Sequence, residues 1–228
     1  GEPLEAMVDG RLVGDGGMAI LSRFPIREAA VRDFSQLLWS ELPGATLPQK
    51  DGAPFFSPEL LETLRLSSSG HWIVPIDLPS GHAVNLLAFA ATPPVFDGPE
   101  DRNGLRNLDE LRLWELVIDG QLGPTPESFV VLGNANLDPQ KGDGHRSAMG
   151  EILDRPDIND PLPGLPTADW GPDGPGALRV SYVLPNAALD VSAAGVFWPA
   201  ADDLMAALLG DGGAAAGPHH LVWVDILR

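Results

Sequence analysis

The chain contains no cysteine. Disulfides, thiolate metal centres and cysteine nucleophiles are thereby excluded, while the redox compartment stays open, because a chain without thiols suits either kind. Basic residues are also scarce: 14 Lys and Arg face 32 Asp and Glu, a formal net charge of −18. Such a field repels phosphate backbones and anionic lipid, so nucleic-acid binding by charge is not expected. No apolar run approaches the ~20 residues that span a bilayer, and a membrane partner is not expected either. The sequence opens at Gly1 with neither a basic region nor an apolar one behind it. That reads as a signal peptide absent or already removed, which leaves the compartment unassigned and compatible with secretion or a periplasm.

Turn formers, in contrast, are abundant. The 26 glycines and 23 prolines are about a fifth of the chain, against an average of about 12%. They punctuate short apolar runs from Gly17 to Pro218 without a fixed repeat period. With 228 residues and 44% hydrophobic composition, one domain spanning residues 1–228 and holding a sizeable core is expected.

Six runs bounded by Gly, Pro, Asn or Asp have strand character: Met18–Ser22, Trp72–Leu78, Ala83–Ala90, Ser128–Leu132, Leu178–Leu184 and Leu221–Ile226. The clearest helical pattern is Asn107–Ile118, where Leu108, Leu111, Trp114, Leu116 and Val117 recur near a 3.6-residue period. Pro58–Leu66, Arg146–Leu153 and Ala201–Leu209 are weaker helical candidates. Strands interleaved with helices predict a mixed α/β (α+β) domain. The six tryptophans, Trp39, Trp72, Trp114, Trp170, Trp198 and Trp223, are expected to anchor the core. The Ala- and Gly-rich stretch Gly210–Gly217 is expected to be a connecting loop.

Several motifs follow one another in order. They are Gly17-Met-Ala-Ile-Leu-Ser-Arg-Phe-Pro-Ile26, Leu64-Arg-Leu-Ser-Ser-Ser-Gly-His-Trp72 and Thr92-Pro-Pro-Val-Phe-Asp-Gly-Pro-Glu-Asp-Arg-Asn-Gly104. After these come Gly133-Asn-Ala-Asn-Leu-Asp-Pro139, Arg179-Val-Ser-Tyr-Val-Leu-Pro185, Val196-Phe-Trp-Pro199 and His219-His-Leu-Val-Trp-Val-Asp225. In this order and spacing the chain resembles the endonuclease/exonuclease/phosphatase superfamily, with its DNase-I-like fold, and most of all a bacterial branch carrying the Pro-Pro-Val-Phe-Asp-Gly-Pro-Glu-Asp-Arg-Asn signature. The resemblance implies a four-layer sandwich, two packed mixed sheets flanked by helices. It also implies a cleft at one sheet edge where a divalent metal activates water against a phosphoester. A hard ion such as Mg²⁺ takes oxygen ligands, mainly carboxylates.

Position by position, the resemblance implies losses. Asn134 stands where the family carries a general-base Asp, and an amide does not take up a proton near neutral pH. Ser181 replaces a second Asp, Pro218 a third, and Ala90 a phosphate-contacting His. Asn136 and His219 are retained. The family's early Asn and metal-binding Glu lie on strands before the Gly17–Ser22 motif, and those opening strands are expected to be missing. A sheet edge left open in this way would invite a second copy of the chain or another protein.

Read from the residues alone, Asn134 and Asn136 also suit a turn, and His219 suits a hydrogen-bonded structural role. The densest polar cluster, Asp97, Glu100, Asp101, Arg102, Asn103, Arg106, Asn107 and Asp109, is the best remaining candidate for binding a ligand or hard cation. Its alternative is a self-bonded loop capped onto the helix that follows. Two functions are therefore expected to compete. One is a noncatalytic binding or structural domain without a cofactor. The other is a phosphoester hydrolase using Mg²⁺, Mn²⁺ or Ca²⁺, with its missing groups supplied by the Asp97–Asp109 loop or from outside this sequence.

Overall fold

The computed structural model describes residues 17–210 and 217–227. In chain order its elements are β1 (Arg32–Asp33), β2 (Gln49–Lys50), β3 (Ala53–Pro54), α1 (Pro58–Leu61), β4 (Gly70–Asp77), β5 (Ala83–Ala90), α2 (Arg102–Ile118) and β6 (Phe129–Asn134). There follow α3 (Ser147–Leu153), β7 (Ala168–Asp169), β8 (Ala177–Leu178), β9 (Ser181–Pro185), β10 (Val191–Phe197) and β11 (Leu221–Ile226).

A five-stranded mixed sheet, ordered β1-β4-β5-β6-β9, is the centre of the structure. Only the β5–β6 pair is parallel, and α2 is the crossover such a connection requires. Strand alternation then divides the residues between two faces. On one face the register aligns Ile73, Leu87, Val131 and Leu184 in a row across four strands, all buried. Leu111, Leu113, Trp114 and Val117 of α2 join the same core, as do Met149 and Ile152 of α3.

The opposite face holds Val74, Ile76, Ala88 and Val130, which are buried, and Trp72, Leu86, Leu132 and Val183, which are only partly so. Beside it β10 and β11 form a two-stranded antiparallel ribbon with no buried residue. The mixed α/β class is as expected. Where two full sheets are implied by the resemblance, the described residues form one sheet of five strands and three two-stranded ribbons.

Several sequence expectations need correction. Met18–Ser22 is not a strand; Leu21 is 93% exposed there. The helix expected from Asn107 begins five residues earlier, at Arg102, because polar residues of its first turn carry no periodic signal. Pro58–Leu66 yields only the single turn α1, and Ala201–Leu209 yields a 3-10 segment, Leu204–Leu209. Strand β10 was not expected, because Val-Ser-Ala-Ala-Gly has little β propensity. Only Trp39 and Trp114 are fully buried core anchors, while Trp198 and Trp223 lie on the exposed ribbon side. Expectations about the opening strands and about residues 211–216 fall outside the described residues. Among the described residues no helix is long and apolar enough to cross a membrane.

Candidate functional site

Strand register assembles the candidate site. Ala90 pairs with Asn134 across β5–β6, and Asn134 pairs with Ser181 across β6–β9, so three of the predicted positions stand in one row at the end of the central strands. What brings β6 this close to β5 is Gly133, with φ of 156°; a Cβ there would lie 1.9 Å from the Phe89 carbonyl oxygen.

After the row the chain turns back through Asn136, whose φ of 50° is a left-handed conformation that Asn tolerates. The Asn136 N–H donates to Asn134 Oδ1 at 3.0 Å, and Asn134 Nδ2 donates to Asn136 Oδ1 at the same distance. Asn136 Nδ2 in turn donates to the Ala91 carbonyl at 2.8 Å. The two amides thus build a local turn and tie it to the end of β5.

Pro218 and His219 reach this region through β7. The Asp169 N–H donates to the Pro218 carbonyl, His219 bridges Ala168, and the His220 N–H donates to the Thr167 carbonyl. Thr167, almost fully buried, accepts from both the Val180 and Ser181 N–H groups through its hydroxyl at 2.9 Å. His219 is therefore linked to the Ser181 end of the row by a fixed backbone. Its imidazole meets the edge of Trp170 at 5.3 Å, and burial together with neighbouring His220 pushes its pKa below the ordinary range. His220 stacks on Trp198 at 3.8 Å.

The carboxylates around the row are engaged elsewhere. Asp138 accepts from the Gln140, Lys141 and Arg179 N–H groups, and both oxygens of Asp160 receive the Arg179 guanidinium. Glu110 is fully buried. Its Oε1 accepts from the Ser68 N–H and hydroxyl, and its Oε2 from the Thr92 N–H. Burial holds this carboxyl above its usual range, against the opposing pull of those donors and of Arg106. Among the described residues no group of three or more His, Asp or Glu is arranged to hold a metal ion. An alanine, an amide and a hydroxyl in the row do not fit a hard divalent cation, which draws on carboxylate charge.

The Asp97–Asp109 cluster divides in two. Asp97 accepts the Asn103 N–H at 2.6 Å and caps the first turn of α2, while Asn103 Nδ2 donates to the Val95 carbonyl. Glu100 lies 3.8 Å from Arg102, and Asp101 meets His145 Nε2 at 2.7 Å. The second half, Arg106, Asn107 and Asp109, points inward. Asn107 bonds the Thr92 and Ala135 carbonyls, and Asp109 accepts from Trp39 Nε1 and the Thr46 N–H. Arg106 lies over the Trp39 ring at 5.1 Å. These three hold the sheet, α2 and the Trp39 segment together.

Sequence reasoning overlooked Thr167, which no motif marked, and the part of Asp138, whose place inside Gly133–Pro139 was a usable signal. It also overlooked Phe96, 87% exposed in a left-handed conformation at the loop tip.

The sequence model of the Endonuclease/Exonuclease/phosphatase family matches residues 8–217. The chain belongs to that family. Comparison with curated proteins gives no match. Among solved structures, an endonuclease/exonuclease/phosphatase from Beutenbergia cavernae is 17% identical with a TM-score of 0.54, over 90% of this chain and 46% of that one. A 3′ phosphatase from Neisseria bound to a product DNA hairpin is 18% identical with a TM-score of 0.47, over 76% of this chain and 70% of that one. A family protein from Leptotrichia buccalis is 14% identical with a TM-score of 0.47, over 73% and 56%. This member of the endonuclease/exonuclease/phosphatase family therefore spans about half the length of the Beutenbergia structure, and the likeness is one of fold.

Proposed function

We propose that residues 1–228 are one endonuclease/exonuclease/phosphatase domain whose metal and catalytic site has been lost, and that it serves as a noncatalytic binding or structural domain. The observation that carries this reading is the strand-end row of Ala90, Asn134 and Ser181, which supplies neither a general base nor an anionic ligand. Supporting it are the Asn134 and Asn136 amides, spent on each other and on Ala91, and the absence of any carboxylate hydrogen bond to the His219 ring among the described residues. Without such a partner nothing in the motif fixes the tautomer of that imidazole. The hydrolase reading would need carboxylates from outside this sequence or from the Asp97–Asp109 loop, where Asp97, Asp101 and Asp109 already have partners.

The test is an assay of phosphomonoester, phosphodiester and plasmid substrates with Mg²⁺, Mn²⁺ and Ca²⁺. It compares this chain with a variant carrying Asn134→Asp, Ser181→Asp and Pro218→Asp. No turnover by the unaltered chain is expected. Turnover that Asn136→Ala and His219→Ala each abolish would establish the hydrolase instead.

A further inference from the structure

The far end of the central sheet carries a cavity of about 510 Å³, within the ordinary range for small-molecule sites. It opens where the segment before β1, the β4–β5 turn and the loop before β6 meet, at the opposite end of these strands from Ala90, Asn134 and Ser181.

Its wall combines two chemistries. Ala83 and Pro126 give an apolar surface over a floor of buried Ile73 and Pro75, and Arg32 gives a fixed cation. The Arg32 guanidinium donates to the Leu122 and Pro124 carbonyls and lies 5.2 Å from the centre of the Phe34 ring. Two of its five N–H donors are thus committed, and the others have no carboxylate partner among the described residues.

That is unusual in a chain of net charge −18. The other partly or fully buried arginines, Arg106, Arg112, Arg155 and Arg179, each face an acid: Glu110, Asp109, Asp157 and Asp160 respectively. Burial pushes the Arg32 pKa down, as expected where no anion compensates.

We infer that this cavity binds a small organic monocarboxylate, its carboxylate on Arg32 and its apolar body against Ile73, Pro75 and Pro126. Guanidinium and carboxylate match as a two-pronged pair. The remaining charges set the valence. Arg27 also lines the cavity but is already paired with Asp77, and Glu127 on the rim opposes further negative charge, so a polyanion such as a nucleotide is disfavoured. His82, Asn85, Thr125 and Ser128 are the other polar residues of the lining, with Asn85 held by its bond to the Ser128 carbonyl and Thr125 by its bond to the Ile118 carbonyl.

The experiment is a two-dimensional ¹H–¹⁵N NMR titration of the full chain with benzoate and with hexanoate, and in a separate arm with inorganic phosphate. At least one carboxylate is expected to saturate a single site, shifting resonances of Gly81, Asn85 and Ser128, and to bind more tightly than phosphate. Arg32→Gln weakens that binding by about tenfold or more. Ala83→Leu, which fills the cavity and leaves Arg32 in place, weakens it likewise, and the exposed Arg146→Gln leaves it unchanged. Absence of saturable shifts with both carboxylates, tighter binding of phosphate at these resonances, or binding indifferent to both cavity variants would overturn the assignment.

Discussion

His71 shows how a single buried group sets the pH response of this structure. It is fully buried between Phe89 and Trp114. Its Nε2 lies 3.1 Å from the Glu110 carbonyl, which only accepts, so Nε2 carries the proton and Nδ1 accepts from the Ser67 hydroxyl. Burial pushes its pKa from 6.5 down to about 4. Above pH 6.5 native and unfolded chains are both neutral at this ring and no contribution changes. Between there and about 4 the unfolded chain takes up a proton that the native one refuses, so stability falls as pH falls, by about 3 kcal/mol over the window. Buried Glu110, held above its usual range, acts with the opposite sign. Urea unfolding at pH 7 and pH 4.5 is expected to show a smaller acid loss for His71→Gln than for the unaltered chain; parallel losses would contradict this. The sequence placed His71 in a motif but gave no sign of its burial, because Glu110 and Ser67 reach it only once α2 lies on the sheet.

At the scale of elements, the strands that position the site were the most readable part. Ala83–Ala90 and Leu221–Ile226 were expected with the boundaries they have, since short apolar or alternating runs ended by turn formers carry the strand pattern whether or not they are fully buried. Strand β6 ran two residues further than its apolar pattern, through Gly133 and Asn134, and Asn134 is its member of the site row. Glycine at 133 is required by the approach of the Phe89 carbonyl, a contact between strands more than forty residues apart in sequence. Gly133→Ala is expected to destabilise the fold by about 3 kcal/mol or more, because backbone has to move. Gly52→Ala, at a positive φ but with nothing within 4 Å, is expected to cost about 1 kcal/mol. Thermal unfolding of the two variants distinguishes them, and equal shifts would show that torsion alone, not contact, decides. The start of α2 was hidden for a related reason. Its cap is the Asp97 carboxylate on the Asn103 N–H, set by a loop rather than by an adjacent residue.

For the whole molecule, a scaffold and a reaction have separable requirements. The scaffold needs the α2 crossover, the buried ties of Asn107, Asp109 and Glu110, and the row of apolar side chains from Ile73 to Leu184, and all of these are present. The phosphoester reaction needs concentrated negative charge at one sheet end, and a chain with 32 acidic residues places none of them in the Ala90–Asn134–Ser181 row. Among the described residues Asp109 and Glu110 are buried in α2, and the exposed acids bear on association with polyanions. Family membership was legible in the motifs. The internal commitments of the polar loop were not, since hydrogen-bond partners such as Trp39 and His145 are distant in sequence. The most direct measurement is isothermal titration of the full chain with Mg²⁺ and Mn²⁺, beside the Asn134→Asp, Ser181→Asp, Pro218→Asp variant. The account predicts no saturable micromolar binding by the unaltered chain; micromolar binding that Asn136→Ala removes would contradict it.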